Sequence, residues 1–194
     1  MRAAIVTSRI HIFGASGSGT TTLAKGIEET SGFTHLDTDG FFWMPTDPPF
    51  TTPRERTARK DLLRDALEAK DAWVLSGSLC GWGDFAMPLF DLAVFLRVPT
   101  HIRVQRLRSR EIERYGRQIE NPSDPRHGSH TQFLEWAAAY DSGGLDMRSR
   151  AHHEQWMKTL PCTLLRIEGD HSREASLGLV LAHIAEHTSA GDGK

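Results

Sequence analysis

A chain of 194 residues suits one globular domain, and 39% hydrophobic with 25% charged side chains supplies a core rather than a disordered tract. A net charge of −2 and a pI near 6.5 give bulk electrostatics nothing with which to draw nucleic acid. The two cysteines, Cys80 and Cys162, stand outside any C-x-x-C pattern, and no apolar run approaches the length of a membrane span, so a disulfide framework, a zinc site and a transmembrane helix are all excluded as expectations. The opening MRAAIVTSRIHIF lacks the apolar core and small-residue cleavage site of a signal peptide, so a cytoplasmic location is expected.

In chain order, Arg9–Phe13 (RIHIF) predicts a strand that runs into the glycine-rich stretch Gly14–Thr21. A helix follows from Thr20, with Gly32 as its C-cap. Thr34–Asp39 (THLDTD) predicts a second strand with acids at its carboxyl end, and Gly40–Pro53, carrying four prolines, predicts no regular element. Thr52 as N-cap, Pro53 at the first helical position and Glu55 completing a capping box predict a helix to about Ala69, with Leu62, Leu63, Ala66 and Leu67 as its apolar stripe. Ala72–Ser78 and Asp91–Val98 predict two more strands, the latter apolar enough to be buried on both faces. After Pro99 comes a long arginine-rich helix, then a polar break at Asn121–Ser129, helices over Thr131–Tyr140 and Arg148–Leu160, a fifth strand over Cys162–Gly169, a closing helix from Arg173 and a frayed tail from Thr188.

Five strands alternating with helices predict a three-layer α/β/α domain on a central parallel sheet, spanning the whole chain. Ligands in such folds bind beyond the carboxyl ends of the strands, where the glycine stretch, Asp37, Asp39 and Ser76–Ser78 all fall.

The glycine stretch reads G-x-x-x-x-G-T-T, the phosphate-loop pattern with Thr20 where a lysine belongs. Backbone N–H groups of Gly14, Ala15, Ser16, Gly17, Ser18, Gly19, Thr20 and Thr21 can wrap an anion at the head of the following helix, and the Thr21 hydroxyl can meet a magnesium ion. A dinucleotide fingerprint starting at Gly17 would need glycine at position 22, which is Thr22. The missing lysine matters: unit charges ~4 Å apart interact by roughly 4 kcal/mol at an effective dielectric near 20. Phosphoryl transfer relies on such charge, so a substitute is needed. Lys25 lies too far down the helix. Arginines are the better candidates, since 18 of the 23 basic residues are Arg and the stretch Arg97–Arg150 has ten Arg and no Lys. Arg103, Arg106, Arg110, Arg114 and Arg117 share one helical stripe, read either as a lid over a triphosphate or as a solvated face balanced by Glu111, Glu113 and Glu120. Arg148 and Arg150 can meet that lid from its far side. None of the ten histidines forms a metal-ligand pattern.

These features resemble the P-loop small-molecule kinase superfamily, which includes adenylate, shikimate and gluconate kinases. GASGSGTTT resembles its phosphate loop, and a similar GSGTTT occurs in archaeal cytidylate kinase-like sequences. LDTD, Leu36–Asp39, looks like the shikimate-kinase acid pair, which implies Asp37 near the metal and Asp39 near the acceptor hydroxyl. WVLSG, Trp73–Gly77, is similar to the strand that ends in aspartate-glycine in monophosphate kinases, with Ser76 in the acid's place. RIEG, Arg166–Gly169, resembles the turn beside the adenine, which implies Gly169 there.

The resemblance implies a P-loop NTPase fold of nucleoside monophosphate kinase type, with an acceptor region over about 37–69 and an arginine-rich lid over about 103–150. It implies ATP and Mg2+ as cofactors, with Asp39, Arg110, Arg114, Arg148 and Arg150 in catalytic roles. The acceptor is a nucleoside monophosphate or a hydroxyl-bearing metabolite, and the protein a monomer or homodimer without membrane or nucleic-acid partners. Arg54, Arg56 and Arg59 can clamp an acceptor phosphate. Phe41, Phe42 and Trp43 can stack on the acceptor or anchor the proline loop, and Trp82 and Asp84 can line the same pocket. The alternative is a degenerate P-loop protein that binds nucleotide and regulates without turnover; a role in RNA processing through the arginine stripe is disfavoured by the acidic pI.

Overall fold

The computed structural model describes residues 8–189; the expectations for the extreme N-terminus and for residues 190–194 lie outside the described residues. Five strands, β1 (Arg9–Gly14), β2 (Thr34–Asp37), β3 (Trp73–Ser76), β4 (Leu92–Arg97) and β5 (Thr163–Glu168), pair in the order β2-β3-β1-β4-β5, every pair parallel. Between and after them run α1 (Thr20–Ser31), α2 (Thr38–Phe42), α3 (Arg56–Glu68), α4 (Thr100–Tyr115), α5 (His127–Ala138), α6 (Arg150–Met157) and α7 (Arg173–Ser189).

The two faces of the sheet follow from the period of two along each strand. Ile10, Ile12, Val74, Leu92, Val94 and Leu96 turn to one face, where Leu23, Ala24 and Ile27 of α1 and Val180 of α7 cover them. Phe13, Trp73, Leu75, Ala93 and Phe95 turn to the other, under Leu63 and Leu67 of α3, Trp82, Phe90, and Trp156 and Met157 of α6. β1 is the central strand, so Gly14 at its end emerges at the middle of the carboxyl edge. The register places Asp37 beside Ser76 and Gly14 beside Leu96 at that edge.

Several boundaries differ from the sequence expectation. β2 stops at Asp37, because that carboxylate accepts the Asp39 N–H at 3.0 Å and so caps α2; Asp39, Gly40, Phe41 and Phe42 are helical rather than strand or loop. The N-cap of α3 is Glu55, whose carboxylate takes the Thr57 and Ala58 amides, so the helix starts at Arg56 and not at Pro53. Leu62 stands exposed, leaving Leu63 and Leu67 as the buried stripe. Residues 43–53 form a built arm: Met44 N–H donates to the Thr52 carbonyl, Trp43 bridges Pro53, and Arg54 donates to the Phe41 and Trp43 carbonyls. α5 begins inside the expected polar break, at His127, and α7 continues to Ser189 through the start of the expected tail. α4 ends at Gly116, so Arg117 falls in a separate 3-10 turn, off the helical stripe.

Two histidines lie inside this core. His11 is sealed between the Phe13 and Phe90 rings, with Nδ1 3.1 Å from the Leu75 carbonyl. His153 bridges Ser78 Oγ at 2.9 Å and Tyr140 Oη at 2.7 Å. Burial pushes both imidazoles down to a pKa of about 3. A neutral form favoured in the folded state gives stability that is full above the unfolded pKa of 6.5 and drains as pH falls from there toward 3. Denaturant unfolding at pH 7 and pH 5 should therefore differ by about 2 kcal/mol per histidine, and His11→Phe should remove close to half of that pH dependence.

Candidate active site

The phosphate loop bends by left-handed backbone at Gly17 and Gly19 and closes with a Ser18 N–H to Ala15 carbonyl bond of 3.1 Å. At Gly17 the φ of +80° would strain any other residue, and a Cβ there would stand 2.7 Å from the Arg103 carbonyl, so the loop can lie this close to α4 only as glycine. α1 starts at Thr20 with no side-chain cap and no acidic residue in its first turn. Its leading amides and the positive end of its dipole thus face the loop uncompensated. The buried Ser18 hydroxyl has no hydrogen-bond partner. An anion with several acceptor oxygens fits this set of donors.

Beside the loop, Thr21 Oγ1 donates to Asp37 Oδ2 at 2.9 Å. The hydroxyl and carboxylate expected to share a magnesium ion therefore already meet, while Asp37 Oδ1 is engaged in capping α2. Such a hydroxyl-carboxylate pair suits a hard cation that keeps most of its waters. The described residues contain no group of three or more His, Cys, Asp or Glu side chains arranged to hold a metal alone. Ser76, at the position of the expected third-strand acid, is fully buried and bonds His35 Nε2 at 2.9 Å.

In the first turn of α2, Asp39 stands at the mouth of the cleft. Loss of hydration there and then the Asp37 carboxylate raise its pKa; Arg148, the Trp43 indole and Arg110 oppose the rise. Its surface remains open to solvent, so this dehydration is that of a cleft and not of a sealed interior. Gly77, leaving β3 with a φ of +105°, packs its bare Cα against the buried Thr38 hydroxyl, and that approach sets α2 against the sheet edge.

The arginines divide by partner. Arg103, 1% exposed, donates to the carbonyls of Val98, Ser16 and Ala137, to Thr100 Oγ1 and to Asp141 Oδ2, at 3.0–3.2 Å. It is a structural anchor rather than a mobile lid residue. Arg106 pairs with Asp170 at 2.9 Å and Arg108 with Glu120. Arg110 lines an open groove of about 480 Å³ along α4 and acts on Asp39 through space. Arg114 lies 3.6 Å from Glu111 and against the ring of Phe50 on the arm, while Arg150 reaches Asp141 at 4.0 Å. Arg148 is placed differently: its Nη2 donates to Ser16 Oγ at 2.7 Å, its field reaches Asp39, and its Nε is buried without a partner. Burial lowers its pKa, with Asp39 pulling the other way. Of the acceptor-side arginines, Arg54 holds the arm, Arg56 is exposed, and Arg59 is buried against the Phe42 and Trp82 rings. Gly169 follows β5 with its N–H on the Arg97 carbonyl, next to the Arg106–Asp170 pair.

Residues 10–125 match the family described as AAA domain. The chain belongs to this P-loop family. The uncharacterized protein YqaC of Bacillus subtilis (strain 168) is 44% identical over 178 residues, 92% of this chain and 98% of that protein. A cytidylate kinase of Natronomonas pharaonis is 33% identical over 115 residues, 53% of this chain and 58% of the kinase. Gluconokinase from Sinorhizobium meliloti 1021 superposes with a TM-score of 0.54 at 17% identity over 95% of each chain. Shikimate kinase from Bacteroides thetaiotaomicron does so with 0.54 at 18%, over 92% of this chain and 98% of that one. The fold is thus that of the P-loop small-molecule kinases, and no helix of the described residues is long and apolar enough to cross a membrane.

Sequence reading missed three features: the burial of Arg103, the Ser78–His153–Tyr140 chain, and Trp136, which lies under Arg148. A signal for the first existed, since Arg103, Leu107 and Glu111 recur every fourth residue and all three are buried. Removing the Arg103 guanidinium leaves a half-buried carboxylate and three carbonyls short of donors. Arg103→Met should lower the unfolding free energy by about 3–5 kcal/mol in urea titration, a larger loss than for any exposed arginine of α4.

Proposed function

We propose that the protein is an ATP- and magnesium-dependent phosphotransferase acting on a small acceptor, either a nucleoside monophosphate or a hydroxyl-bearing metabolite. The observation that carries this reading is Arg148, whose guanidinium bonds Ser16 of the phosphate loop and acts through space on the acid Asp39. It brings a fixed positive charge to a loop whose own lysine is Thr20. In this reading the donor's phosphates lie on the amides of residues 14–21, with Gly169 beside the base. Thr21 and Asp37 hold magnesium, which when bound neutralises phosphate oxygens. The acceptor sits between Asp39 and the ring-stacked Arg59, whose unpaired Nε suits an acceptor with an anionic group of its own.

When the acceptor is a hydroxyl, Asp39 receives its proton as that oxygen bonds to the terminal phosphorus. The bridging P–O bond breaks and its electron pair leaves on the nucleoside diphosphate. Arg148 stabilises the charge that spreads over the transferring oxygens, and Arg110 and Arg114 close the cleft from α4. Arg150 acts from behind, through Asp141.

A second reading, nucleotide binding without turnover, is favoured by one observation: Ser76 bonded to His35 leaves no third-strand acid beside the metal position. An ATP-consumption assay over nucleoside monophosphates and small hydroxylated metabolites, run beside MgATP calorimetry, separates the two. The expected result is turnover that drops at least ~100-fold in Asp39→Asn with MgATP affinity nearly unchanged. Arg148→Ala should drop it about 1,000-fold. MgATP binding with no turnover across the panel supports the second reading, and no binding at millimolar nucleotide ends both. Because Asp39 must be ionised to act, kcat should fall on acidification at a pH above the ordinary aspartate range, as its raised pKa requires.

A further inference from the structure

Five arginines remote from the cleft are matched by carboxylates: Arg64 by Asp61, Arg97 by Glu168, Arg126 by Asp124, Arg166 by Glu154 and Arg173 by Glu29. Among the described residues, Arg148 has no carboxylate within ion-pair distance. Its guanidinium instead lies over the indole of Trp136 on α5, 5.4 Å from the ring centroid. That indole is stacked in turn on Phe133, with centroids 6.2 Å apart and planes 24° from parallel. Trp136 is one of the few large apolar side chains left exposed, at 39%. Burial in the core therefore does not account for an indole at this position.

A carboxylate would orient a guanidinium by occupying its N–H edge and cancelling its charge. An aromatic face orients it by its flat side and leaves both the charge and the in-plane donors available. Arg148 needs that distinction if it does the work of the absent lysine. Its Nη2 edge must point at the loop, and its charge must remain unspent for the phosphates.

We propose that Trp136 is the positioning residue for Arg148, fixing the plane of the guanidinium against the phosphate loop without neutralising it. The inference rests on the kinase reading and adds to it a residue that acts through Arg148. The Phe133 ring backs the indole, so the stack Phe133–Trp136–Arg148–Ser16 runs from the surface of α5 to the loop.

A double-mutant cycle tests it, with Trp136→Leu, Trp136→Phe, Arg148→Ala and Trp136→Leu/Arg148→Ala read for kcat, KM for MgATP and thermal midpoint. Trp136→Leu is expected to lower kcat about tenfold, with KM changed by less than about threefold and the thermal midpoint within a few degrees of wild type. Trp136→Phe, which keeps a ring face, should recover most of the rate. In the Arg148→Ala background, Trp136→Leu should do nothing further, because its effect passes through the guanidinium. Active wild type with an equally active Trp136→Leu overturns the inference. So does a full, additive Trp136→Leu loss in the Arg148→Ala background, or a loss that only tracks thermal stability. Wild type that consumes no ATP, whether or not it binds MgATP, overturns the kinase reading itself, and the positioning role with it.

Discussion

A guanidinium sealed from water must have its donors met, and Arg103 meets its own with five acceptors from four parts of the chain. The rest of the site is arranged around that requirement. Its bond to the Ser16 carbonyl fixes the phosphate loop against α4, and its bonds to Ala137 and Asp141 fix the far end of α5 against the same helix. Gly17 completes the join from the other side, because only a residue without a side chain can lie against the Arg103 carbonyl. The Tyr140 ring, stacked on Arg103 and bonded to His153, carries the order onward to Ser78 at the exit of β3. Loop, helical segment and acceptor edge are thereby tied through buried polar groups, each paired with the next.

Against that rigid background the cleft keeps its charge. Asp37 is spent on Thr21 and on the α2 cap, and Ser76 on His35. Asp39 is the acid left under opposing influences, raised by dehydration and by Asp37 and lowered by Arg148 and Arg110. A carboxylate so poised is held near a cation without being locked to it. In the proposed reading, the charge that a lysine would supply from the loop comes instead from Arg148, which stands just ahead of α6 and bonds Ser16.

Much of this was legible in the residues. The five strands, the parallel sheet, the glycine loop and the Gly32 cap follow from hydrophobic period and from positions where only glycine fits. Thr21, Asp37 and Asp39 were legible because their spacing ties them to a loop and a strand end. The arginines were legible only as a group. Helical periodicity places Arg103, Arg106, Arg110 and Arg114 on one stripe, but it cannot say that the first turns into the core while the second meets Asp170. Those partners come from elements 38 to 64 residues away in sequence. Asp39 was misplaced by its element because an aspartate two residues earlier captures its amide, a local bond that outcompeted strand propensity.

Four of the five acceptors that hold Arg103 lie between Val98 and Asp141, and only the Ser16 carbonyl comes from the body of the fold. The two-helix insert thus brings nearly all of its own fastening. The seating of this two-helix segment on the sheet then turns on one backbone oxygen, that of Ser16. Side chains on α4 and α5 can thus change without disturbing the strands, so long as that one carbonyl keeps its place.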